Sequence, residues 1–160
     1  MRRPVIADAR AGEDRQWAKG VWVPALGGAA AFWLVNLTIS MTPAAADYRS
    51  ALSISYIPML IQAAIGGIAM GLLVSWALLR FPDRVPGKHP VGKALVVSLV
   101  VLVGVTTLIE VPSKLTSAIS RPMHYLLIAT VFNALRITAL GLFIGFVRSR
   151  SAARGHRVAT

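Results

Sequence analysis

The chain has 160 residues, 56% of them apolar and 14% charged, with a formal charge of +11 and no cysteine. A soluble domain carries roughly a quarter charged residues, so this balance excludes one, and the missing thiols exclude disulfides, thiolate metal sites and thiol redox chemistry. The basic excess lies in tails and loops rather than on one folded face, which points to anionic lipid headgroups as its counter-charge and away from nucleic acid.

The pattern predicts an all-α integral membrane protein, a four-transmembrane-helix bundle, because four apolar runs reach the spanning length of about 20 residues. Residues 1–21 form a basic segment with Arg2, Arg3, Arg10, Arg15 and Lys19. The first run covers 22–42 and holds Asn36 and Thr38. It ends in MTPAAADY, which imitates a signal-peptidase site after Ala46. The apolar run is longer than the 7–15 residues of a typical signal core, so it reads as a retained helix. Asn36-Leu37-Thr38 matches a glycosylation triplet, but a transferase does not reach it inside a membrane run.

The second run, 57–79, carries Gln62 and repeats small residues every four positions at Ala63, Gly67, Gly71 and Ser75. Small-xxx-small spacing lets helix backbones approach in lipid, and it serves packing within the chain or a second copy equally well. RFPDRVPGKHP follows, with prolines at 82, 86 and 90 that cannot continue a helix. The third run, 93–112, places Thr106, Thr107 and Glu110 near its end. The fourth, 123–147, contains Asn133, Arg136, Gly141 and Gly145, and it leads into a basic tail, 148–160. The domain organisation is therefore a cytoplasmic segment 1–21, a membrane domain 22–147 and a cytoplasmic tail.

Orientation is expected from the retention of positive charge on the cytoplasmic side. Thirteen of the 17 Lys and Arg residues lie in the first segment, the 80–93 loop and the tail, against Arg49, Lys114 and Arg121 in the other two loops. Both termini are thus expected in the cytoplasm. Trp17, Trp22, Trp76 and Phe81 at that edge, and Tyr48, Tyr56 and Tyr125 at the other, form the expected aromatic belts.

Arg136 belongs to neither side. It is thirteen residues after Met123 and twelve before Arg148, hence ~20 and ~18 Å from the two ends of its helix. A guanidinium at the midplane must be hydrated, paired or bound to an anion. Asn133 lies one turn away, and Asn36, Gln62, Thr106 and Glu110 cluster in the same outer half, which predicts an outward polar cavity floored by Arg136. Direct contact between Glu110 and Arg136 requires the third helix to continue through Pro112 toward Ile119. Otherwise Glu110 serves Lys114, Arg121 or water at the boundary.

The chain has no HExxH helix, nucleophile elbow, carboxylate pair or phosphate loop, and His124 at the rim stands alone. No catalytic residue, metal or cofactor is expected. The leading expectation is a small membrane protein that binds or transports an anionic or amphipathic solute around Arg136. An assembly subunit, partnered by its own copy or another membrane protein, comes second, and a lipid-directed membrane enzyme third.

Overall fold

A computed structural model describes the backbone of residues 5–116 and 119–158, and the side chains of 17–116 and 119–151. Five helical rods account for the fold. They are α1 (Val5–Ser40), a short α2 (Pro43–Ala51), α3 (Tyr56–Arg80), a rod running from Pro90 to Thr116, and α6 (Pro122–Val158). The Pro90–Thr116 rod comprises α4 (Pro90–Val105), a π-helical turn (Thr106–Glu110) and α5 (Val111–Thr116). Four segments, Trp17–Ser40, Tyr56–Arg80, Pro90–Thr116 and Pro122–Ser151, are long and apolar enough to cross a membrane.

The spanning helices fall where the apolar runs place them, and α1 and α6 outrun their expected ends furthest. α1 begins seventeen residues before Trp22 and passes through Pro24, and α6 continues eleven beyond Val147. Extending an existing helix adds one hydrogen bond per residue ordered, without a new nucleation cost. Pro24 leaves unpaired only the carbonyl four residues earlier, which belongs to Gly20. The 43–56 connection also contains a helix. Thr42 caps α2, its Oγ1 accepting from the Ala45 N–H at 3.3 Å, and Pro43 occupies the first turn, where its missing donor costs nothing. The proline-rich loop over 81–89 ends α3 as expected, with Gly87 at φ +131° and Lys93 Nζ donating to the Pro82 carbonyl.

Around the bundle the spanning rods follow the order α3, α1, α6, α4, with a much thinner α4–α3 seam closing the ring. The exterior is apolar nearly throughout, with Ile61, Ile65, Leu99, Val100, Val103, Leu127 and Leu135 all exposed. That much apolar surface is untenable in water and is the lipid-facing side of a membrane bundle.

The two halves differ in packing. Toward the 81–89 loop, Phe32, Val74, Leu78, Ala94, Ile137, Leu140 and Ile144 form one buried core. The glycines close this half. A Cβ at Gly71 would lie 2.5 Å from the Ala25 carbonyl oxygen, and one at Gly145 would lie 2.6 Å from Val91 Cα. Gly67 faces Phe32, Gly141 faces Ser98 and Ala94, Gly27 meets Phe143, and Ser75 is fully buried while Ala63 packs on the core's edge. The small-residue faces of α3 and α6 are therefore filled by α1 and α4 of the same chain. The half nearer α2 is looser, since α3 has little contact with the π turn or α5. Trp33 spans part of that half by donating from Nε1 to the Leu60 carbonyl at 3.2 Å.

Candidate functional site

The looser half encloses a cavity of about 390 Å³. α1 contributes Phe32 and Asn36, α2 Tyr48 and Arg49, α3 Gln62 and Met70, the π turn and α5 Glu110 and Lys114, and α6 Asn133 and Arg136. Gln62, Ile109 and Ser113 belong to the wall yet are exposed, so the wall is breached along the α3–α5 side. Of the expected site residues, Arg136, Asn133, Glu110, Gln62 and Asn36 come together here. Thr106 does not: it is half-buried at the start of the π turn, off the cavity wall, with its hydroxyl unpaired. His124 is exposed and edge-on to Tyr125, with ring centroids 5.2 Å apart, also away from the cavity. Among the described residues no three His, Asp or Glu side chains are grouped to hold a metal ion.

The π turn sets the geometry of the third rod. Val111 N–H bonds the Thr106 carbonyl, five residues back, immediately ahead of Pro112. One extra residue per turn rotates everything beyond it by about 100°. The rod passes its proline and runs to Thr116. Glu110 and Lys114 face inward while Leu108 and Ile109 remain exposed. Helix three thus continues through Pro112, the condition for Glu110 to approach Arg136.

Direct contact between those two does not form; Asn133 stands between them. Its Nδ2 donates to Glu110 Oε1 at 3.0 Å, and its Oδ1 accepts from Arg136 Nη1 at 3.4 Å. The other Glu110 oxygen pairs with Lys114 Nζ at 3.4 Å. The result is a line of charges and dipoles, Lys114, Glu110, Asn133, Arg136, in which one carboxylate is shared between two cations. Aromatic faces supply the rest. The Arg136 guanidinium lies 5.7 Å from the Phe132 ring centroid, and Lys114 Nζ lies 5.1 Å from that of Tyr48. Burial pushes the Tyr48 phenol above its ordinary range, outweighing the pull of Lys114. Tyr48 therefore stays neutral and adds no negative charge to the wall.

Arg49, Lys114 and Arg136 make three cations against the single carboxylate of Glu110, the one acidic residue in the four spanning segments. Arg49 is held in place by the Ser40 carbonyl at 2.9 Å and by the Tyr56 ring. Two groups on the wall are unspent: Arg136 Nε, and both polar atoms of Asn36, which is fully buried. Leaving a buried donor or acceptor unmade costs about 1–3 kcal/mol each. Asn133→Leu should lower stability by about 2 kcal/mol, since it strips hydrogen bonds from two charged groups at once. Denaturant titration in micelles measures this.

The sequence pattern does not single out Tyr48, Arg49 or Lys114 as wall residues, because all three fall in apparent connections between helices. The signal is Thr42-Pro43, a helix start that folds Tyr48 and Arg49 back over the end of the bundle. Tyr125 is fixed by the same helix. Its hydroxyl donates to Asp47 Oδ2 at 3.4 Å, and its ring lies 6.1 Å from that of Tyr48.

Four apolar helices of spanning length around a shared core define a multi-pass membrane protein. No protein-family model, curated protein or solved structure matches the chain.

Proposed function

We propose that the protein binds an anionic amphipathic small molecule in the cavity, its charged group held by Arg136, in the course of moving that molecule across or within the membrane. The excess of cations over carboxylates around a 390 Å³ space carries this reading. Guanidinium offers fixed paired donors that suit carboxylate or phosphate, and a low-dielectric wall strengthens such contacts. The breach beside α3 gives an apolar tail a way in from the lipid. In the same reading the α2 end faces outward and both termini lie in the cytoplasm, where the basic tails meet anionic headgroups. The assembly reading draws less support, because the glycine faces it would use are filled by the chain's own helices.

The test is thermal unfolding of the protein in nanodiscs of zwitterionic lipid with hexanoate, hexyl phosphate, hexanol or hexylammonium. A ligand of the folded state stabilises it by about 2.7 kcal/mol at a hundredfold excess over Kd. The two anions are expected to raise the melting temperature by several degrees, the alcohol and the cation to leave it unchanged, and Arg136→Gln to abolish the response. Equal shifts from all four solutes, or an unchanged response in Arg136→Gln, would remove the case for an anion site. Reporter fusions at each terminus check the topology, with cytoplasm-only signals expected from both.

A further inference from the structure

Asn36 makes a narrower statement about the ligand. Its carboxamide is fully buried on the cavity wall, with neither Oδ1 nor Nδ2 bonded. Neither atom presents surface to a water-sized sphere in this conformation, so a partner in the cavity reaches the carboxamide only when the Asn36 side chain turns toward the space its residue lines. The Thr106 hydroxyl is also unpaired but lies off the cavity wall, whereas three other polar side chains near that end of the bundle are bonded. Asn133 uses both ends of its amide, Ser40 Oγ donates to the Leu37 carbonyl at 2.6 Å, and Thr38 Oγ1 donates to the Leu34 carbonyl at 3.0 Å. Among the buried side chains of the wall, Asn36 keeps a planar donor and acceptor unpaired, and Arg136 keeps Nε unpaired.

Resting on the anion-site reading, we infer that Asn36 is a specificity residue and that the ligand carries an amide between its apolar tail and its anionic group, as an N-acylated amino acid does. A secondary amide presents one N–H and one C=O, the complement of the Asn36 carboxamide. A ligand with a plain hydrocarbon chain leaves that carboxamide unpaired, and a site built around a hydrogen bond discriminates strongly against analogues lacking it.

The experiment compares N-hexanoylglycine with nonanoate, two monoanions of equal chain length that differ in the amide, by calorimetric titration of the protein in nanodiscs. Partition alone favours nonanoate, because an amide is costly to desolvate. The wild-type protein is expected to bind the acylglycine at least about tenfold more tightly despite this. In Asn36→Leu the preference should reverse, with a melting temperature no lower than wild type in the absence of ligand, since an unpaired polar group has been replaced by an apolar one. Arg136→Gln should lose both ligands. Nonanoate binding as tightly as the acylglycine in wild type overturns the inference and leaves the anion site intact, as does a preference that survives in Asn36→Leu. If neither anion binds wild type, the anion site and the inference both fall. Should Asn36→Leu fail to fold, Asn36→Ala gives the same comparison, and the wild-type ratio stands as a test by itself.

Discussion

Glu110→Leu should destabilise the protein by about 2–4 kcal/mol, the range for removing one partner of a buried pair, reduced for the partial exposure of the carboxylate. Lys114 is only 4% exposed, and Glu110 is its paired carboxylate. Without it, Lys114 keeps the Tyr48 ring and Asn133 loses an acceptor, while Arg136 and Lys114 are left on the cavity wall with no carboxylate to share. Glu110→Leu/Lys114→Met should recover most of the loss, because replacing a buried ion pair by apolar groups is often neutral. Denaturant titration of both variants in micelles separates the cases. If the double variant is no better than the single one, the cost lies in the helix around the π turn and not in the charge.

Gly71→Leu should cost about 3 kcal/mol or more, the upper part of the range for overpacking a close-packed site. The obstacle at Gly71 is backbone, the Ala25 carbonyl, and not the end of a flexible side chain. α1 and α3 must separate to admit any side chain, and the Trp33 bond to Leu60 farther along the same interface should loosen with them. Gly104→Ala is the control, since a Cβ there meets nothing within 4 Å. It should leave stability unchanged or raise it by up to about 1 kcal/mol through helix propensity. A mild effect at Gly71 would mean that the α1–α3 contact is not set by backbone approach.

The bundle was legible because lipid imposes a simple rule: about 20 consecutive apolar residues make a spanning helix, and nothing else satisfies the backbone. The glycine faces were legible for the same reason, although spacing alone left open whether α1 or another copy fills the face on α3. The site was legible in its deep members. Arg136, Asn133, Asn36 and Glu110 stand out because polar groups are costly there, and they do share one cavity. Geometry along the third rod was harder. Whether Glu110 reaches Arg136 depends on a π turn, and no residue between Thr106 and Glu110 announces one. The rim was missed for a different reason. Charged and aromatic residues in a connection read as membrane-edge anchors until the connection itself is seen to fold, and α2 turns Tyr48 and Arg49 from anchors into walls.

The central claim is an electropositive cavity in the half of the bundle nearer α2, breached along the α3–α5 side, and the native absence of cysteine makes it directly accessible to measurement. Ala63 lies on the cavity wall and is half-buried. In sealed proteoliposomes, Ala63→Cys should react with membrane-impermeant thiosulfonates added to the α2 side, and the sulfonate-bearing reagent should react about tenfold faster than its trimethylammonium counterpart, since fixed charge concentrates the opposite ion in a cleft. Adding Arg136→Gln should shrink that ratio toward one. An unreactive thiol in the Ala63→Cys variant would contradict an open cavity, and faster modification by the cationic reagent would contradict an anion site.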